Sequence, residues 1–162
     1  MKNAVLVGFK RSPFTIANKG LLASIRPEDI LSQVINDLIK TTNINKEDIE
    51  DIIAGCAYPE GSQGYNIAKI VSFMTNMPEH VGGMTINRWC GSSMQAIHNA
   101  AGAISMNAGK VFICCGIESM TSVPINGLNY SPHPELLKNR PNVYLSMGLT
   151  AENVAKKFHI SR

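Results

Sequence analysis

The chain has 162 residues, 44% of them hydrophobic and 17% charged, enough to bury one core of ordinary domain size. Its formal charge of +3 is mild and its basic residues form no dense run, which argues against a nucleic-acid partner. No stretch reaches membrane-spanning length, and Ala4-Val5-Leu6-Val7 is too short for a signal peptide's apolar core and is followed by no cleavage pattern, so no membrane insertion and a cytoplasmic location are the expectations.

The predicted elements alternate between strand and helix. Ala4 to Phe9 reads as a buried strand. Pro27, with Glu28 and Asp29 behind it, opens a helix whose apolar positions Ile30, Leu31, Val34, Ile35, Leu38 and Ile39 form one stripe, with Lys40 favourably placed at its end. A second strand covers about Ile52 to Ala57, and Ile67, Ile70, Val71 and Met74 mark a helix that ends before Pro78. Met84-Thr85-Ile86 is a short strand ending near Arg88.

A helix follows in which Met94, Ile97, Ala101, Ile104 and Ala108 recur at three- and four-residue spacing. Its other side carries the small residues Ala96, Ala100, Gly102 and Ala103, so it is expected to be a central helix, buried on several sides. Val111 to Gly116 is a further strand. Strand, helix and strand repeated in this way predict an α/β fold, a layered and mainly parallel sheet with a buried central helix. From Thr121 to Ser146 the prolines and asparagines break any periodicity, which predicts a long irregular loop, and Thr150 then offers an N-cap for a last helix carrying Val154, Ala155 and Phe158.

The run Asn87-Arg88-Trp89-Cys90-Gly91-Ser92-Ser93-Met94-Gln95-Ala96 sets Cys90 where a strand turns directly into a helix. A thiolate there faces unpaired backbone N–H groups and the positive end of the helix dipole, both of which favour the charged, nucleophilic form. The same N–H groups suit an oxyanion beside the sulfur. The ordinary alternative is a buried cysteine acting as a small hydrophobe. Gly91, Ser92 and Ser93 let a ligand approach the sulfur, which favours the reactive reading. The four cysteines lack zinc-like spacing, so no metal site is expected and reduced thiols are; adjacent Cys114 and Cys115 point to opposite faces of a strand and read as core filler.

This run resembles the nucleophile segment of the thiolases, the acyl-CoA C-acyltransferases that cleave or form 3-ketoacyl-CoA. So do Arg11-Ser12-Pro13-Phe14, the stretch from Gly55 to Ala68, Gly116-Ile117-Glu118-Ser119-Met120, and the stretch from Met147 to Ala155. The five segments, in the family's order, cover nearly the whole chain. The resemblance implies the first half of the thiolase fold, whose two similar halves pack their central helices together. Residues 1–120 would be that half-domain without its last strand, and residues 121–162 part of the insertion that binds coenzyme A.

It also implies a catalytic Cys90 that carries an acyl thioester and lends its own N–H to the oxyanion hole. Asn87 and Glu118 would brace the nucleophile loop, and Met147 would line the coenzyme A channel. Coenzyme A and acyl-CoA enter as substrates, so no cofactor is implied. Ser146 stands where many acetyl-condensing thiolases have His, and with the Glu60-Gly61-Ser62-Gln63-Gly64 segment this leans toward a broader 3-ketoacyl-CoA substrate rather than dedicated acetoacetyl-CoA synthesis.

The family's Gly-His-Pro, Cys-x-Gly and Asn-Glu-Ala-Phe segments do not occur in these residues, and thiolases run to more than twice this length. The chain therefore reads as an N-terminal portion that is inactive alone, and its partners would be a homo-oligomer of the full-length protein or a C-terminal portion in trans. His133, in Pro132-His133-Pro134, lacks the glycine and reads as a surface-loop residue; His98 lies roughly 12 Å along the helix axis from Cys90 and is out of reach as its base; His80 and His159 have no visible partners. Two alternatives stand beside this reading. One is a non-catalytic remnant or subunit needing a second chain. The other is a ketoacyl-synthase-like condensing enzyme, for which an acyl carrier protein would be the acceptor.

Overall fold

The computed structural model describes residues 3–162. Three parallel strands, β1 (Ile49–Gly55), β2 (Gly82–Ile86) and β3 (Val111–Gly116), form one sheet in the order β2-β1-β3. Ile53 pairs with Met84 on one side and Cys114 on the other, so β1 is the central strand. Alternation along β1 sends Ile52 and Ala54 to one face and Ile53 to the other.

Helices α1 (Pro27–Thr42) and α2 (Ile67–Met74) cover the first face, where Leu31, Ile35, Ile67 and Val71 join Ile49, Ile52 and Val81 in the main core. Pro27 at the start of α1, the acidic first turn and Lys40 near its end match the sequence signals, and Asn43 closes it in the left-handed conformation at φ 52°. The side chain of Asn66 ties the start of α2 to β2, donating to the Gly83 carbonyl at 2.8 Å and accepting from the Thr85 hydroxyl at 2.9 Å.

Helix α3 (Ser92–Ser105) lies on the second face. Its small residues meet the sheet: Ser92, Ala96 and Ala100 are buried, the alanines against Ile53 with Met84, Phe112 and Cys114 beside them. Met94 and Ile97 remain about half exposed. The expected burial is thus met on one side of α3, the side whose short side chains let the helix approach the strands.

The segment from Ala4 to Phe9, expected as a buried strand, has no strand conformation, and Val5, Leu6, Val7 and Phe9 are each more than 70% exposed. A strand needs a hydrogen-bonding edge as well as apolar residues. Here the segment runs beside α1 instead, where Lys10 pairs with Asp37 at 2.8 Å.

The chain as far as Leu128 forms one compact unit, and Asn129–Arg162 forms a second. The second contains α4 (Pro134–Asn139), a 3₁₀ turn (Pro141–Tyr144) and α5 (Met147–Phe158). Two expectations are corrected here. The stretch to Ser146 is not irregular throughout, because Pro134 and Pro141 each open a helical turn, the one helical position where a missing N–H costs nothing. Ser146, not Thr150, caps the last helix: its hydroxyl accepts from Leu149 N at 3.3 Å, while Thr150 is already helical and donates back to the Ser146 carbonyl at 3.0 Å. Among the described residues no helix is long and apolar enough to cross a membrane.

Candidate functional site

Cys90 stands at a sharp turn between the end of β2 and the start of α3, and it is exposed. The helix begins at Ser92 with Gly91 as its N-cap, so the thiol sits one residue before the cap rather than in the first helical turn. The displacement arises because residues 88–92 close a turn of their own, with Gly91 N donating to the Arg88 carbonyl at 3.0 Å and Ser92 N to the Trp89 carbonyl at 3.1 Å. No side chain caps the helix; its first amide, Ser92 N, is taken up by the Trp89 carbonyl, and the Ser92–Ser93 peptide packs on the end of β1 at Gly55.

The turn requires Trp89 at φ 49°, a left-handed conformation that costs a bulky residue roughly 1–2 kcal/mol. Its neighbours hold it there. Asn87 Oδ1 accepts from Trp89 N at 2.8 Å, and the Ser92 hydroxyl accepts from Arg88 N at 2.9 Å and donates to the Trp89 carbonyl at 2.6 Å. The Trp89 ring meets Tyr58 edge to face, with centroids 5.4 Å apart. Beneath the turn, the first residues of α3 press on the ends of two strands. A Cβ at Gly55 would run into the backbone of Ser92 and Ser93, and one at Gly116 into the Ser93 hydroxyl, so only glycine allows this approach.

A second set of bonds joins the loops that leave β1 and β3. The Glu118 carboxylate accepts from Ala57 N at 2.7 Å, Tyr58 N at 3.4 Å and Gln63 Nε2 at 2.9 Å, and the Cys56 thiol points at it from 3.7 Å. Asn87 Nδ2 donates to the Ala57 carbonyl at 2.8 Å. Asn87 and Glu118 therefore meet at one residue, Ala57. Gln63, which enters the sequence reading only as a member of the thiolase-like stretch from Gly55 to Ala68, is fully buried at the centre of this set. Its position in Gly61-Ser62-Gln63-Gly64 looks like ordinary loop composition, and no local signal distinguishes a buried glutamine from an exposed one.

The four thiols differ sharply in setting, and none is paired with another. Burial first, then the negative charge of Glu118, pushes Cys56 up to about 12. Burial likewise pushes Cys115 up to about 12, with Cys114 adding to it, and raises Cys114, with Asp51 adding to it. Cys115 packs against the main core and Cys114 against the α3 side, the opposite faces expected of adjacent strand residues. Cys90 alone is exposed.

A family model described as the thiolase N-terminal domain matches residues 4–162. The chain belongs to the thiolase family. It is 40% identical over 162 residues to a 3-ketoacyl-CoA thiolase of Bacillus subtilis (strain 168), covering all of this chain and 41% of that protein. It is 38% identical over 164 residues to a 3-ketoacyl-CoA thiolase of Aeromonas salmonicida (strain A449), covering all of this chain and 42% of that protein. The fold is similar to human mitochondrial 3-ketoacyl-CoA thiolase in complex with CoA, with a TM-score of 0.74 and 26% identity over 90% of this chain and 40% of that one. It is also similar to Acat5 thiolase from Ascaris suum in complex with coenzyme A, with a TM-score of 0.73 and 27% identity over 90% and 40% of the two chains. The chain thus spans about two-fifths of the length of the thiolases it matches.

Within this thiolase N-terminal fold, Asn87, Cys90 and Glu118 belong to the first compact unit, and Met147 opens α5 in the second, where it is exposed. His133 is the N-cap of α4, and its backbone N–H donates to the Tyr144 hydroxyl at 2.9 Å. His80 lies 3.9 Å from Glu47. Among the described residues, none is hydrogen-bonded to the Cys90 thiol.

Proposed function

We propose that this chain supplies the acyl-accepting nucleophile of a thiolase that cleaves 3-ketoacyl-CoA with coenzyme A, or runs the reverse condensation, in fatty acid β-oxidation. The observation that carries the proposal is the strand-to-helix turn that exposes Cys90 while the other three thiols are held in or against the core. The Cys90 thiolate attacks the 3-keto carbonyl carbon, and the developing oxyanion is met by the Cys90 N–H. The bond between C2 and C3 then breaks, leaving the shortened acyl group on sulfur. The electron pair departs with the acetyl-CoA enolate, which takes up a proton. Coenzyme A next attacks the thioester as its thiolate, and Cys90 leaves as a thiolate. Sulfur suits both halves of the cycle, being a strong nucleophile and a good leaving group.

The reading assigns Asn87 and Glu118 to supporting the turn, and residues 121–162, with Met147, to the part that meets coenzyme A. The base that activates Cys90 and the donor that protonates the enolate belong to segments this sequence does not contain, so turnover needs a C-terminal portion, in the same full-length protein or in trans. The coenzyme A complexes of the human and Ascaris suum proteins support coenzyme A as the ligand class. A cytoplasmic, homo-oligomeric enzyme is the corresponding whole.

Incubating the folded chain with a 3-ketoacyl-CoA tests the assignment. A slow, single acylation is expected, with the added mass mapping to the Cys90 peptide and absent from Cys90→Ala. Acylation at another residue, or none in a chain shown to be folded, contradicts it. Steady thiolysis by the 162-residue chain alone would contradict the division of labour.

A further inference from the structure

The bonds around Ala57 continue to the nucleophile. A buried side-chain amide must satisfy two N–H donors and a carbonyl, and Gln63 satisfies all three. Its Nε2 donates to the Tyr58 carbonyl and to Glu118 Oε1, each at 2.9 Å, and its Oε1 accepts from Ser119 N. Glu118 Oε2 then accepts from Ala57 N, the Ala57 carbonyl accepts from Asn87 Nδ2, and Asn87 Oδ1 accepts from Trp89 N, the residue before Cys90. Glu118 and Asn87 are exposed, and water competes for the bonds they make to Ala57 and Trp89. Gln63 is fully buried, so packing fixes its orientation.

We infer that Gln63 is a positioning residue for Cys90. It holds the Glu118 carboxylate in one orientation, and that carboxylate sets the Ala57 peptide on which Asn87 anchors the left-handed Trp89. Gln63 touches no reacting atom. The inference rests on the proposed function only in giving Cys90 its chemical role, since the path from Gln63 to Trp89 exists whatever the thiol reacts with.

Trp89 is the only tryptophan in the chain, so the turn carries its own spectroscopic reporter. Gln63→Met keeps the length of the side chain and removes all three hydrogen bonds. In this variant of the purified chain, with far-UV circular dichroism showing the fold retained, the near-UV band of Trp89 is expected to fall as far as it does in Asn87→Ala. Alkylation of Cys90 by iodoacetamide is expected to slow roughly tenfold, as for a group moved out of its productive geometry. The double variant should lose no more than either single one, because both break the same path. A merely structural glutamine would lower the melting temperature but leave the Trp89 band and the alkylation rate unchanged, and that result overturns the inference. Should Gln63→Met fail to fold, Glu118→Gln decides instead: it keeps the shape but sets an NH₂ group against the Ala57 or Gln63 donors, so the Trp89 band must fall, and an unchanged band overturns the inference. A Cys90 that takes no acyl group while Trp89 responds as expected would count against the proposed function and leave the positioning role standing.

Discussion

The two faces of the sheet are built to different standards. Toward α1 and α2, large side chains such as Ile35, Ile52, Ile67 and Val71 are buried completely. Toward α3 the contact is made by Ala96 and Ala100, and the larger Met94 and Ile97 look outward. The first face supplies stability. The second gives up side-chain burial to bring a helix close to the strands, which sets the turn carrying Cys90 at their ends.

Paired truncations break or sharpen this contrast. Ile67→Ala is expected to cost about 2–5 kcal/mol, the range for emptying a sealed core site. Ile97→Ala on the outer side of α3 should stay within about 0.5 kcal/mol. Urea unfolding of both variants measures the difference. Equal costs would show that α3 is covered on its outer side in solution and that the two faces are not distinct.

A smaller effect separates the faces by pH. Cys56 and Cys115 ionise only at about 12 when folded, and unfolding returns them toward the ordinary thiol value of 9.0. Below 9.0 both states hold these protons and the full stability is present. Between 9.0 and about 12 the unfolded chain releases protons that the folded chain retains, so stability falls as pH rises. Cys56→Ala should flatten that fall, read as the urea midpoint against pH. A fall that stays equally steep in Cys56→Ala would show that burial of this thiol does not set it.

The sequence is legible where a local pattern and a tertiary demand coincide. Val111–Gly116 is apolar, β-branched at its start and followed by a change in composition, and it is a strand of those bounds. The turn at Cys90 is legible for a related reason: Asn87 and Ser92, whose side chains tie it, are its sequence neighbours, although the structure moves the helix start two residues past Cys90. The segment Ala4–Phe9 misleads because an apolar run states only what prefers to leave water, and the edge that would receive it is not specified locally. Pro134 and Pro141 mislead in the other direction, since a proline that ends one helix is well suited to start another. Gln63 is illegible because its role depends on Tyr58, Glu118 and Ser119, and two of these three are more than 50 residues away.

The central claim is that the fold presents one thiol and withholds three. Competitive alkylation of the folded chain near neutral pH, with a limiting amount of iodoacetamide and peptide mapping by mass, measures this directly. Cys90 is expected to be labelled first and nearly to completion before Cys56, Cys114 or Cys115 reacts, and denaturant should abolish the order. Equal labelling of all four thiols in a chain shown to be folded would contradict the claim.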